Sequence, residues 1–171
     1  MQKRIVSVCL ALLFILGVTS SVMGDVRASE DVPLLDGSYL TYDEESIGYA
    51  YQLTRGVDLL TGYSKVVRMG PGEIYAGGTT IAAHTVDRVK ISVMIERVSK
   101  EGEAWEFYDG WRKENTNADR VSANRGLKVE GGYYYRVRCT HSANDDVSSS
   151  FTDGVFVEEP GILSSYSETS K

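Results

Sequence analysis

The chain has 171 residues, of which 24 are acidic and 18 are basic, so its formal net charge is −6 at neutral pH. Nucleic acids and anionic membrane surfaces are bound mainly through lysine and arginine. The acidic balance therefore argues against a nucleic-acid partner and against attachment to an anionic membrane surface. The length is enough for one domain with a sizeable hydrophobic core.

The first residues have the composition of a secretory signal peptide. Lys3 and Arg4 supply positive charge, residues 5–18 are almost uninterruptedly apolar, and small and polar residues follow. The apolar run is shorter than the roughly 20 residues that a membrane span requires, and this order is typical of a signal peptide. We predict cleavage after Gly24, with cleavage after Ala28 as the alternative, and a secreted, extracellular product. A retained membrane anchor is the other interpretation of this segment.

Removal of residues 1–24 would leave an acidic chain with a single cysteine. The segment contains two basic residues and no acidic residue, so the net charge becomes −8. It also contains one of the two cysteines, so only Cys139 remains and no disulfide can form within the chain. An odd cysteine in an exported protein is either a buried thiol or the site of a bridge between molecules.

Three segments of different composition follow the signal peptide. Residues 25–54 form an acidic lead-in, in which the stretch "GSYLTY" can pair as an edge strand. Residues 55–158 carry the alternation that predicts a β-sandwich domain. Residues 159–171 are mostly small and polar and begin near a Pro-Gly pair, so we expect a flexible C-terminal tail.

Alternation of apolar and polar residues identifies the strands of the domain, and "VKISVMIERV" is the clearest case. One face of this segment carries four β-branched residues: Val89, Ile91, Val93 and Ile95. The other face carries Lys90, Ser92, Met94 and Glu96. A period of two predicts a strand with one buried face.

The next segment, "WEFYDGW", should form a hairpin with that strand, because Gly102 allows a turn between them. In this segment the alternation places Trp105, Phe107 and Asp109 on one face. It places Glu106 and Tyr108 on the other face, and we predict that Tyr108 points outward.

Other segments show the same strand signals, separated by turn residues. They are "VDLLTGYSKVVRM", with an interruption or bend expected near Gly62, "GEIYAGGTTIAA", with a bulge or a close strand crossing expected at Gly77 and Gly78, "RVSANRGLKV", "GGYYYRVRCTH" and "VSSSFTDGVFVEE". About seven short strands within about 105 residues predict an all-β fold, a single antiparallel β-sandwich. A closed barrel is the alternative.

The stretch "GGYYYRVRCTH" divides into two chemically different faces when it is placed on a strand. The inward set is apolar or amphipathic: Tyr133, Tyr135, Val137 and Cys139. The outward set is mostly charged or polar: Tyr134, Arg136, Arg138 and Thr140. A half-buried strand requires this division, so Cys139 is expected in the core as a small hydrophobic residue.

This stretch resembles the sixth strand of immunoglobulin-like and fibronectin type III-like sandwiches. Leu127 precedes Tyr133 by six positions across a glycine-containing corner, as in those folds. The resemblance implies that Tyr133 is a corner tyrosine whose hydroxyl reaches the backbone. Cys139 has no partner cysteine, so only the architecture carries over and a true immunoglobulin domain is excluded.

A longer resemblance covers most of the chain after the signal peptide. Its motifs are "LLDGSYLTYDEES", Arg-Gly before a strand, Gly-x-Gly-x-Ile, and Gly-Tyr-Tyr-x-Arg-Val before a histidine. These are similar to an uncharacterised family of small secreted proteins of Gram-positive bacteria, a domain of unknown function. The resemblance implies export and a β-rich fold, and it implies no chemistry.

The sequence provides little support for a catalytic or metal site. His84 and His141 could bind zinc with Asp145 or Asp146, but no metal-binding spacing accompanies them. Residues 148–150 are serines without a nucleophile-elbow motif, and "NDD" at 144–146 fits a hairpin turn better than a calcium site. We predict no catalytic residues, no metal and no cofactor.

Exposed aromatic and basic side chains are the better candidates for function. The predicted binding residues are Tyr108, Tyr134, Arg136 and Arg138. Aromatic rings stack on sugars and anchor protein partners, so the predicted ligand is an extracellular carbohydrate or protein. The favoured function is an exported, non-catalytic binding module of unknown oligomeric state. The alternatives are a secreted hydrolase that uses acidic residues, or a structural protein that assembles through sheet edges.

Overall fold

The computed structural model describes Gly37, residues 39–50 and residues 56–161. The predicted signal peptide, residues 25–36 of the lead-in and the end of the predicted tail lie outside these residues. Within the described residues there is no helix, so none of them forms a helical membrane span.

The described residues form eight strands in one curled, mixed sheet with the shape of a half-barrel. They are β1 (Leu40–Thr41), β2 (Glu45–Tyr49), β3 (Leu59–Gly70), β4 (Glu73–Val98), β5 (Glu106–Lys128), β6 (Tyr133–Ala143), β7 (Asp146–Phe151) and β8 (Gly154–Val157). The all-β prediction is confirmed. The strand pairing differs from the predicted antiparallel sandwich, because β1 and β8 are parallel and every strand belongs to the same connected sheet.

The double-length strands β4 and β5 hold this sheet together. Their first set of pairs runs from Glu73↔Lys128 to Ile81↔Arg120, and their second set runs from Val86↔Ala118 to Arg97↔Glu106. The hairpin predicted between "VKISVMIERV" and "WEFYDGW" is therefore confirmed. The alternation predicts two short strands in place of each long one. Polar residues around 83–88 and 113–120 interrupt the alternation, whereas the backbone pairing resumes beyond them.

The two halves of this hairpin belong to different layers. The first half of β4 pairs with β3 on its other edge, and the second half pairs with β6. The hairpin bends between them, where the register shifts between Ile81 and Val86 and Asn117 has a φ of 48°. Trp111 of one half donates its Nε1–H to the Ala123 carbonyl oxygen of the other half at 3.2 Å. The bend therefore folds one half of the hairpin toward the other.

The inner faces of both halves form one hydrophobic core. The four predicted inward residues of "VKISVMIERV" are at most 2% exposed, which confirms their placement. Three of the four predicted inward residues of β6 are also buried: Tyr135, Val137 and Cys139. They pack with Val66, Ile74 and Val121 of the other half in a single cluster.

Gly77 and Gly78 allow neighbouring strands to approach closely at the position that the sequence predicts. A Cβ atom on Gly78 would lie 2.3 Å from the Tyr63 carbonyl oxygen and 2.8 Å from Cys139 Sγ, and one on Gly77 would meet Ala123. The close crossing predicted at the double glycine is therefore confirmed. The irregularity predicted near Gly62 is a register shift between Leu59 and Thr61, and β3 continues through it.

The β2 edge closes against the β7–β8 segment, and Gly48 makes this possible. A Cβ atom on Gly48 would lie 1.4 Å from the Phe151 carbonyl oxygen. Beside it, the Asp153 backbone N–H donates to Ser46 Oγ at 2.9 Å. The closing contact is made by backbone atoms, which cannot move aside as a side chain can.

We expect Gly48→Ala to lower the free energy of unfolding by about 3 kcal/mol, because the added methyl group must displace backbone. Gly126→Ala is the matched control: no atom lies within 4 Å of its Cβ position, and we expect a change below about 0.5 kcal/mol. Urea denaturation of both variants measures the difference. Equal stabilities would contradict the closed β2 edge.

Candidate functional site

The outer face of β6 carries three of the four predicted binding residues. Tyr134, Arg136 and Arg138 alternate with the buried residues of this strand, as predicted. The register pairs them with Val98, Glu96 and Met94 of β4. The three side chains differ in exposure: Arg136 is buried, whereas Arg138 is accessible to solvent.

Arg136 is a structural residue, and its predicted exposure is wrong. It is 9% exposed, and its Nε donates to Glu96 Oε2 at 2.7 Å. Its Nη1 donates to the Gly37 carbonyl oxygen at 2.5 Å, and its guanidinium lies 4.0 Å from the centre of the Trp105 ring. Alternation identified the correct face, but it could not reveal that Trp105 and Gly37 contact Arg136 on this face.

Arg138 is the accessible cation of this face. Its side chain is 42% exposed, and its Nη1 donates to the second oxygen of Glu96 at 3.2 Å. Its guanidinium also lies 4.9 Å from the centre of the Phe151 ring. One buried carboxylate thus holds two guanidiniums, and the group of three keeps a net positive charge.

We expect Glu96→Ala to lower the free energy of unfolding by about 3 kcal/mol, because it leaves the buried guanidinium of Arg136 without its counter-charge. Glu45→Ala is the control, since its 2.7 Å ion pair with Lys65 is about half exposed. Its expected cost is below about 1 kcal/mol. Thermal and urea unfolding of the two variants measure the difference. Equal losses of unfolding free energy would mean that the Glu96 cluster is solvated.

Tyr134 lies in an aromatic group at one end of this face. Its ring centre is 5.0 Å from that of Phe156 and 5.8 Å from that of Tyr42. A hydrogen bond with Tyr42, together with partial burial, raises the pKa of Tyr134 to about 12. Tyr42 is 68% exposed, so it presents this group to solvent.

Tyr108 lies on the opposite face from the other predicted binding residues. A bulge pairs Ile95 with Asp109 and Glu96 with Phe107, which leaves Tyr108 as the extra residue. Its ring lies 5.3 Å from that of the buried Tyr135. The predicted outward direction is therefore wrong, and Phe107 points outward instead. A single inserted residue reverses the faces, and alternation alone could not reveal it.

The corner contact predicted for Tyr133 is made by Tyr135. The Tyr135 hydroxyl donates to the Glu130 carbonyl oxygen at 2.7 Å. The ring of Tyr133 instead lies 4.4 Å from the guanidinium of Arg97. The corner is two residues further along the strand than the resemblance implied.

A groove beside Arg138 was missed by sequence reasoning. It has a volume of about 320 Å³ and crosses β5, β4 and β6 on their outer face. Its lining residues are Lys90, Ile91, Ser92, Arg112, Lys113, Glu114, Thr140 and Ser142. The register places Arg112, Ser92 and Thr140 side by side. Each residue was visible on its own strand, but only the order of strands brings them together.

His141 and Ser150 meet inside the core. His141 Nε2 lies 2.8 Å from Ser150 Oγ, and its Nδ1 lies 2.8 Å from Thr80 Oγ1. Thr80 donates its hydroxyl hydrogen to the Lys90 carbonyl oxygen, so it accepts from His141 Nδ1–H, and Nε2 accepts from Ser150. His141 and Ser150 are at most 1% exposed. This pair is a satisfied polar network within the core.

Burial sets the protonation of two core groups. It lowers the pKa of His141 to about 4 and raises the pKa of the Cys139 thiol to about 12. The imidazole is therefore neutral, and the thiol is protonated at neutral pH. The predicted burial of Cys139 is confirmed, and its thiolate is not available as a nucleophile in the folded state.

We expect the burial of His141 to make stability depend on pH. The unfolded imidazole takes up a proton near pH 6.5 and the folded one only near pH 4. Stability is therefore full above about pH 6.5 and falls by up to about 3 kcal/mol as the pH drops toward 4. Urea denaturation against pH measures this slope, and His141→Gln should remove its contribution. Parallel curves for the two proteins would show that the imidazole is not buried in a neutral form.

The histidines and acids do not form the metal site that was considered. His84 Nε2 lies 3.2 Å from Asp58 Oδ1 at the surface, and His141 is in the core. Among the described residues, no group of three or more histidine, cysteine and acidic side chains could hold a metal ion. Asp146 instead accepts hydrogen bonds from the backbone N–H groups of Asp58 and Leu59, which lower the pKa of its carboxyl group.

The hairpin turn predicted at residues 144–146 is confirmed. Ala143 pairs with Asp146, and Asn144 has a φ of 49° in the turn between them. Asn144 also exchanges hydrogen bonds with the Arg88 backbone, which fixes the turn against β4.

The chain matches no family model and no curated protein. Among solved structures it is similar to Spo0M, a sporulation control protein from Bacillus subtilis, with 10% sequence identity and a TM-score of 0.37. The similarity covers 69% of this chain and 51% of that chain, so the chain spans about half the length of Spo0M. A likeness at this level identifies no family.

Proposed function

We propose that the protein is an exported, non-catalytic binding module whose ligand lies on the outer face around Arg138. The observation that carries this proposal is the half-exposed Arg138 guanidinium, held in place by Glu96 and Phe151 beside an open groove. A cation fixed by its neighbours loses little conformational freedom when it binds a ligand. Export depends on residues 1–24, whose pattern is that of a signal peptide.

The core contacts favour binding over hydrolysis. The Ser150–His141 pair is enclosed by the core, and the sheet that crosses it leaves no room for a substrate: a Cβ atom on Gly62 would lie 2.5 Å from the His141 ring. Glu96, the buried carboxylate of the candidate face, has both oxygens bound by arginines. Both oxygens are therefore occupied by contacts within the protein.

The edge of β5 supports a second candidate function, assembly between molecules. Within the part of the chain that the structure describes, β5 pairs only with β4, so its outer edge presents unpaired backbone groups. Lys113 and the bulge at Tyr108 are features that discourage such pairing. Sedimentation of the exported form across a range of concentrations distinguishes a monomer from an edge-paired assembly.

We expect Arg138→Ala to weaken ligand binding roughly tenfold or more, since a charged hydrogen bond contributes about 1.5–3 kcal/mol. The measurement is binding of the exported form to arrayed extracellular polysaccharides and to the proteins of its culture medium. Arg120→Ala is the control, because this substitution removes the same charge from a side chain of β5 that is 69% exposed. A variant at Arg138 that stays folded and binds as the wild type does would reject this face.

A further inference from the structure

The floor of the groove is polar and built from short side chains. Ser92 and Thr140 are adjacent across β4 and β6, and Ser142 pairs with Lys90 in the neighbouring row. Ser149 of β7 pairs with Thr140 and extends the same row. The hydroxyl groups of these side chains both donate and accept hydrogen bonds. A sheet face of this kind suits a ligand that is itself rich in hydroxyl groups.

Cations surround this floor in a chain that is acidic overall. Lys90 and Arg112 line the groove from the outer face, Lys113 is in the lining at the register position of the inward Ile91, and Glu114 is its one acidic residue. Glu114 lies 3.5 Å from Lys90, whereas Arg112 and Lys113 form no ion pair with any other described residue. Arg138 lies in the next row, two residues before Thr140. The local charge is therefore positive and complementary to an anion.

We propose that this groove binds an acidic polysaccharide whose sugar carboxylates pair with Arg112 in the groove and with Arg138, which lies outside the lining in the next row. The ring hydroxyls of the sugar would exchange hydrogen bonds with Ser92, Thr140 and Ser142. Arginine suits carboxylates because its planar guanidinium can donate two parallel hydrogen bonds. The groove crosses three strands about 4.8 Å apart, so it holds a linear chain rather than a single small anion.

The same residues favour a saccharide over an acidic peptide. Protein hot spots are enriched in tryptophan, tyrosine and arginine, but no aromatic residue lines this groove, and Ile91 is the one large apolar residue in the lining. Ile91 is 1% exposed, so it offers no anchor surface. This inference rests on the proposed function and adds to it the chemical class of the ligand.

Calorimetric titration of the exported form with polygalacturonate oligomers tests the inference. We expect binding that weakens with added salt, because the contacts are charged and solvent-exposed. We expect a loss of roughly tenfold or more for Arg112→Ala and for Arg112→Gln, and less than twofold for the control Arg120→Ala. Neutral dextran should not bind.

Three outcomes overturn the inference. They are no binding of polygalacturonate, equal binding by the Arg112 variants and the wild type, or stronger binding of dextran sulfate, which would indicate a general attraction to polyanions. Circular dichroism of each variant checks that it is folded. A different result is that polygalacturonate does not bind while Arg138→Ala still abolishes binding to another arrayed polysaccharide or protein. In that case only the ligand class is wrong, and the proposed function stands.

Discussion

The fold depends on one hairpin that is long enough to belong to two layers. β4 and β5 pair along both halves, and the bend near Val86 and Asn117 turns the first half, with β3, toward the second half, with β6. Neither layer could bury its inner face without the other. The parallel pairing of β1 with β8 and the closure of β2 against Phe151 then complete the half-barrel.

This bend decides which polar groups are buried. The inner faces converge on one core, and that core contains the imidazole, hydroxyl and thiol groups of His141, Ser150 and Cys139. The outer face of β4, β5 and β6 is open to solvent around Ser92 and Thr140 and is covered by Trp105 at Arg136. Its charged residues are of two kinds. Arg136, bound by Glu96, contacts Gly37 and Trp105, whereas Arg138 and Arg112 face solvent.

The sequence predicts the parts of this structure that depend on local alternation. It identified the inward residues in the second half of β4, three of the four predicted inward residues of β6, the close approach at Gly77 and Gly78, and the turn at Asn144. It could not predict features that depend on distant segments. The bulge that turns Tyr108 inward is one added residue, Trp105 covers Arg136 from the segment that precedes β5, and the groove exists because β5, β4 and β6 are neighbours.

Nuclear Overhauser contacts across the core test the two-layer hairpin most directly. The account predicts cross-strand contacts along both halves, such as Ala76 with Arg125 and Val93 with Trp111, together with contacts between the Gly62 α-protons and the His141 ring. Cross-strand contacts without any contact between Gly62 and His141 would mean that the hairpin is extended and not bent. In that case the buried imidazole, the enclosed thiol and the assignment of the open face to ligand binding would all be contradicted.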